Sequence, residues 1–219
     1  EKSITNQYRI NIANGTRKEW TTEAGKTNVQ RFEKAWYANY DNTLYESNDS
    51  GETWKEIYTG MQDAENVWVS PNGKYVAYSK PVLMTPELGT DIYPDLPATT
   101  AKVYTDLMYR HWDTWADGKN SHIFVVNIKD GKSKDIMEGE PYDCPQKPFG
   151  GAEDLVWEPD SKGLIYVCKK KAGKDYALST NTDLYFYDVE KGSSTDWTEG
   201  MPGYDQNPSF SRDGRKLAW

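Results

Sequence analysis

Glu65 and Glu153 each lie six residues ahead of the proline that opens a tight turn, Pro71 in one case and Pro159 in the other, and Gln206 holds the same place ahead of Arg212. Carboxylates recurring at one register position converge on a common spot when the register itself repeats around an axis. Two of them in a partly desolvated pocket hold an ammonium group by charge-assisted hydrogen bonds. The same pair also reads as ordinary solvated glutamates at the start of a strand. Asp113 and Asp154 are weaker candidates for such an anchor, since neither recurs in register.

Groups that make or break covalent bonds are missing. A serine hydrolase of the α/β class needs a Gly-x-Ser-x-Gly elbow followed by an acid and a histidine, and the chain has no such elbow. His111 and His122 are its two histidines, and His111 reads as a surface or packing residue because no nucleophile accompanies it. The catalytic residues of this chain are therefore none. Cys144 and Cys168 fit one disulfide or two free thiols equally well. Two Cys and two His lack the paired spacings of a zinc site, so no metal and no cofactor is expected.

What must position the glutamates is a repeat. A turn followed by a short alternating strand occurs three times: Ser70-Pro71-Asn72-Gly73-Lys74-Tyr75-Val76, Glu158-Pro159-Asp160-Ser161-Lys162-Gly163-Leu164, and Ser211-Arg212-Asp213-Gly214-Arg215-Lys216-Leu217. In this reading proline presets φ, Asn or Asp caps the turn, and Gly takes the positive φ. A second recurring segment is an aromatic-rich strand running into a glycine turn, Leu44 to Gly51, Ile123 to Gly131 and Leu184 to Gly192. The two kinds of hairpin alternate, which makes four-stranded units of the kind that become propeller blades. Ser47-Asn48-Asp49-Ser50-Gly51-Glu52-Thr53-Trp54 also matches the Asp-box pattern of an outer blade hairpin. One such box with six scattered arginines is a weak basis for a sialidase-like glycosidase.

The expected fold is all-β, an incomplete β-propeller of about three full four-stranded blades plus two partial ones, filling residues 1–219. The full blades fall near 29–58, 64–138 and 152–198, an opening half-blade near 5–22, and a last blade begins at 207. An insertion over 80–121 separates the second and third strands of the 64–138 blade, and Thr105 to Trp115 within it fits a short helix capped by Thr105. It reads either as a functional loop or as a lid laying its aromatics on the propeller. Composition agrees with β structure: 14% of residues are aromatic, with 9 Trp and 16 Tyr. The net charge of −8 opposes nucleic acid and anionic lipid, and no apolar run approaches the roughly 20 residues of a membrane helix.

Tyr109-Arg110-His111-Trp112-Asp113-Thr114-Trp115, Asp117-Gly118-Lys119-Asn120-Ser121-His122-Ile123-Phe124 and Pro148-Phe149-Gly150-Gly151-Ala152-Glu153-Asp154 through Trp157 resemble the propeller of prolyl-oligopeptidase-family serine peptidases of the dipeptidyl-peptidase V or acylaminoacyl-peptidase kind. The resemblance runs from about residue 29 to the end. It implies that the propeller gates and anchors peptide substrate for a carboxy-terminal α/β-hydrolase domain, which this sequence lacks, in a periplasmic or secreted exopeptidase releasing dipeptides or acylated residues. It also implies that acidic propeller residues hold the free α-amine of the substrate, and the register makes Glu65 and Glu153 the candidates. A stand-alone periplasmic binding propeller of Tol type, whose blades share the turn, is the alternative.

Overall fold

Short apolar-polar alternation between tight turns builds antiparallel hairpins, and the computed structural model of the chain, which describes residues 7–10, 17–20, 27–32 and 34–219, consists of them. The chain divides into two units, Glu1–Gln62 and Asp63–Trp219. In the first, β1 (Gln7–Ile10) pairs with β2 (Arg17–Trp20), and β3 (Thr27–Arg31), β4 (Trp36–Tyr40), β5 (Thr43–Ser47) and β6 (Lys55–Tyr58) form a four-stranded antiparallel meander. Side chains build the β5–β6 turn. Ser47 Oγ accepts the Gly51 N–H at 2.7 Å, and Asp49 accepts both the hydroxyl and the N–H of Thr53, at 2.5 and 2.9 Å. These bonds, led by the Thr53 hydroxyl, favour the ionised form and hold the Asp49 carboxyl well below the usual range.

In the second unit, β7 (Asn66–Val69) pairs with β8 (Tyr75–Leu83). A long excursion follows, containing α1 (Gly89–Ile92) and a small hairpin of β9 (Arg110–His111) and β10 (Thr114–Trp115). β11 (Lys119–Asn127) returns along β8, and β12 (Ser133–Asp135) completes a sheet of order β7-β8-β11-β12. The next sheet runs β13 (Leu155–Trp157), β14 (Gly163–Cys168), β15 (Asp183–Asp188) and β16 (Ser193–Asp196), with α2 (Gly173–Leu178) between β14 and β15. β17 (Ser209–Phe210) and β18 (Leu217–Ala218) open a further hairpin. Helix amounts to two pieces of 4 and 6 residues among those described.

The three turn copies share a backbone bond: the N–H of Ser70 donates to the Tyr75 carbonyl at 2.9 Å, that of Glu158 to the Gly163 carbonyl at 2.9 Å, and that of Ser211 to the Lys216 carbonyl at 2.8 Å. The first and third copies also share side-chain bonds that Glu158 cannot make. Ser70 Oγ donates to Asn72 Oδ1 at 2.8 Å and accepts the Tyr75 N–H at 3.0 Å; Ser211, Asp213 and Lys216 repeat this at 2.7 and 2.9 Å. Gly73 (φ 67°) and Gly214 (φ 69°) take the left-handed position. In the middle copy Ser161 takes it, at φ 63°, and Gly163 does not. Gly163 is there for space: a Cβ on it would lie 2.4 Å from the Phe186 ring and 2.5 Å from the Tyr187 carbonyl oxygen.

All six residues of β14 are buried, and its alternation sorts them between two cores. Leu164, Tyr166 and Cys168 join Trp68, Ile123, Met137 and Trp157. Ile165 and Val167 pack with Leu184 against Phe210 and Leu217 of the following hairpin. A sheet covered on both faces by its neighbours is how propeller blades stack. The first strands lie side by side: Trp157 Nε1 donates to the Trp68 carbonyl at 3.1 Å, and Trp68 Nε1 to the Ala152 carbonyl at 2.8 Å. Cys144 and Cys168 are free buried thiols, and burial pushes both well above the usual thiol range.

The excursion departs from the helix that the sequence admits over Thr105–Trp115. β8 and β11 stay paired out to Leu83 and Lys119, and the segment beyond folds as the β9–β10 hairpin, with Trp112 at φ 47° at its tip. Aromatic packing selects the hairpin. Tyr104, Tyr109 and Trp115 stack on one another at 5.6 to 6.1 Å, which brings residues 109 and 115 face to face across a turn.

Candidate functional site

Glu65 and Glu153 both stand at the entry of the first strand of a sheet, one residue ahead of β7 and two ahead of β13. Glu65 is exposed, and its backbone N–H is fixed to the Ser79 carbonyl at 2.8 Å. Glu153 is exposed on a single 3-10 turn, Ala152–Asp154, that leads into β13. Among the described residues no hydrogen bond or ion pair links the two glutamates. Gln206, exposed, keeps the same register ahead of β17.

What gathers round Glu153 is a different set. Asp154 is only 3% exposed, and its Oδ2 has no hydrogen-bond partner among the described residues. Its N–H is held by the Gly151 carbonyl at 3.1 Å, which closes the 3-10 turn. Burial first, and the neighbouring Glu153 charge second, raise the Asp154 carboxyl to about 6. Tyr204 feels the charges of both carboxylates, and its hydroxyl accepts a hydrogen bond from the Gln146 side-chain amide at 2.8 Å.

The backbone around these groups explains their placement. Tyr204 lies in the link to the next hairpin, which is pinned to the start of β15: Thr182 donates from its N–H to the Gly203 carbonyl at 3.0 Å and from its hydroxyl to the Asp205 carbonyl at 2.6 Å. Gln146 is buried in the 144–150 loop, closed by the Gly150 N–H on the Gln146 carbonyl at 2.7 Å. A Cβ at Gly150 would lie 2.5 Å from the Gln146 nitrogen and 2.6 Å from Asp154 Oδ2, so only glycine lets this loop close over the aspartate. A Cβ at Gly151 would meet the Glu153 carboxylate at 2.6 Å. The two glycines clear the space that the two acids occupy.

The arrangement is a pair of adjacent carboxylates, one exposed and one buried, beside a phenol. It offers acceptors to a cation or an N–H donor. Sequence reasoning missed Tyr204 and Gln146, because neither shares a register position with any acid and only the fold brings loop 144–150 to the link at 203–205. It ranked Asp154 low because no acid repeats it, whereas its burial comes from packing.

His122 is fully buried, with Nδ1 at 2.8 Å from Asp135 Oδ2 and Nε2 at 2.9 Å from the Glu140 carbonyl. Burial works against charge on the ring, but the hydrogen bond and charge of Asp135 outweigh it and raise its pKa. This is a packing role between β11 and β12.

No family model matches the chain. Dipeptidyl-peptidase 5 of Porphyromonas gingivalis is 46% identical to it over 153 residues, which is 68% of this chain and 22% of that protein. TolB of Acinetobacter baumannii (TM-score 0.51, 14% identity, 97% of this chain and 42% of that one) shares the fold. So does the acylaminoacyl peptidase of Pyrococcus horikoshii (TM-score 0.51, 8% identity, 87% of this chain and 27% of that one). At such identities the solved structures speak for the fold alone, and the sequence match points away from the Tol-type alternative. The chain spans about a fifth of the length of the curated relative it matches. With β-propeller blades and this identity, the chain belongs to the dipeptidyl-peptidase 5 family, as a stretch of β-propeller.

Proposed function

We propose that this propeller gates and anchors peptide substrate for a serine-type α/β-hydrolase domain of the same polypeptide, in an exopeptidase that releases dipeptides or acylated residues from peptide N-termini in the periplasm or outside the cell. The observation that carries the anchoring role is the carboxylate pair at the entry of β13: Glu153 exposed, and Asp154 buried with one oxygen free of any partner among the described residues. A free α-amine brings three N–H donors and a positive charge, which is what an exposed carboxylate beside an unpartnered buried oxygen accepts. Glu65, at the same register on the neighbouring sheet, is the second carboxylate of this reading.

Steady-state kinetics on the full-length protein test it. Glu153→Gln raises KM for free-amine dipeptidyl substrates about tenfold or more, consistent with losing about 1.5–3 kcal/mol from a charged hydrogen bond. Unchanged kinetics in both Glu65→Gln and Glu153→Gln would remove these residues from the site. The Tol-type reading rests on fold likeness and the shared turn alone.

A further inference from the structure

His122 does more than fill space between β11 and β12. Its ring is fully buried and both of its nitrogens face acceptors, Nδ1 the Asp135 carboxylate at 2.8 Å and Nε2 the Glu140 carbonyl at 2.9 Å. A neutral imidazole carries one N–H and one lone pair, and neither an ionised carboxylate nor a carbonyl has a proton to give. Only the imidazolium donates to both. In a neutral ring the single N–H stays with the charged carboxylate, where its bond is stronger, and the Glu140 carbonyl is left facing a lone pair with no donor.

The groups around the ring favour the charge. Asp135 is fixed by a second bond, accepting the Met137 N–H on Oδ1 at 2.9 Å, so that its other oxygen is held on the ring. Asp143 adds a further negative charge. The Glu140 carboxylate is taken by Lys170, just beyond β14, at 2.7 Å, and Glu138 on the same turn is exposed. Lys80 stands opposite His122 in the β8–β11 register, but its ammonium lies over the Phe124 ring at 4.3 Å. Burial opposes charge on the ring, yet the Asp135 hydrogen bond and charge prevail and raise its pKa above the ordinary histidine value.

Glu140 is a junction between two sheets. Its carbonyl is held by β11 of one, and its carboxylate by Lys170 at the end of β14 of the next. Its N–H closes a turn on the Met137 carbonyl at 2.9 Å, and further along the chain the Cys144 N–H is fastened to the Ser121 carbonyl at 2.8 Å. Beyond Cys144 runs the 144–150 loop that closes over Asp154.

We infer that His122 is kept as an imidazolium in the folded protein and works as a pH-operated clamp: losing its proton as pH rises frees the Glu140 carbonyl and loosens the 136–143 turn that ties the two sheets together. The bond at Cys144 confines the release to the residues between Asp135 and Cys144. None of this depends on what the protein binds. Because the folded ring holds its proton more tightly than an unfolded one, the clamp's contribution to stability is complete below about pH 6.5 and is lost as pH rises through the folded value.

The chain has two histidines, so NMR of the chain isotope-labelled at histidine Cε1 tests this, with His111→Gln assigning the remaining signal to His122. That signal is expected at the imidazolium position at neutral pH and to titrate above about pH 6.5. Hydrogen–deuterium exchange read by mass spectrometry, corrected for the intrinsic pH dependence of exchange, follows the turn. Protection over 136–143 falls about tenfold across the same titration, while β14 keeps its own. Asp135→Asn leaves an acceptor at Nδ1 but removes the charge; it lowers the proton affinity of His122 about tenfold or more, and the loss of protection moves with it. A His122 ring that is neutral at pH 7, or protection over 136–143 that does not follow its titration in the unaltered chain, would overturn the inference, and neither reading needs a variant at Asp135. A titration unmoved by Asp135→Asn, in a variant with the parent's far-UV circular dichroism, would overturn it as well.

Discussion

Asp154 carries the chain's most exposed trade between stability and use. Its carboxyl is raised to about 6 when folded, against about 3.9 in an unfolded chain. Between those values the folded state binds more protons than the unfolded one, so stability falls as pH rises from about 4 to 6 and stays at the lower level above that. At neutral pH the buried charge therefore costs about 2–3 kcal/mol. Asp154→Asn removes the charge while keeping the shape, and its urea midpoint is expected to exceed that of the unaltered chain at pH 7.5 and to converge with it near pH 4. A midpoint lower at pH 7.5 would mean that the free Oδ2 has a partner in solution. Removing a costly charge and losing substrate binding together is the pattern of a group retained for function.

Among the elements, β14 carries the most packing, since its two faces close two different cores. Gly163 at its start makes this possible by leaving room for Phe186, whose ring stacks on Trp197 at 4.6 Å. Gly163→Ala drives a methyl into that ring and into the backbone carbonyl of Tyr187. Overpacking of this kind costs about 1–3 kcal/mol. Gly139→Ala is the comparison: it has a positive φ of 80° but nothing within 4 Å of an added Cβ, and costs about 1 kcal/mol from backbone strain alone. Urea denaturation that ranks Gly139→Ala as the more damaging would show that the packing at Gly163 is looser than the distances imply.

For the whole molecule, the prediction follows from what the repeat cannot supply. A propeller stretch with no Gly-x-Ser-x-Gly elbow, and with its one buried histidine locked between Asp135 and the Glu140 carbonyl, has nothing to form an acyl-enzyme. The chain by itself is expected to release no chromophore from dipeptidyl or acyl-amino-acid substrates. Turnover blocked by a serine-directed phosphonate would overturn the division of labour proposed for it.

The blades were legible in the sequence because their signals are local: a turn of Pro, Asn or Asp and Gly, and strands whose side chains alternate, depend on residues a few positions apart. The register that pairs Glu65 with Glu153 was legible for the same reason. The tertiary structure alone decided the rest. In the middle turn Ser161, which stands where Gly73 and Gly214 stand in the other two, takes the positive φ, and Gly163 leaves the space that the Phe186 ring fills. The 105–115 segment became a hairpin because Tyr104, Tyr109 and Trp115 found one another. Asp154, with no repeat partner, became the buried acid because the 144–150 loop folds over it, bringing Gln146 to Tyr204 across 58 positions of chain. Periodicity reports neighbours along the chain; desolvation, which sets the chemistry of a carboxylate, comes from residues the fold brings in from elsewhere.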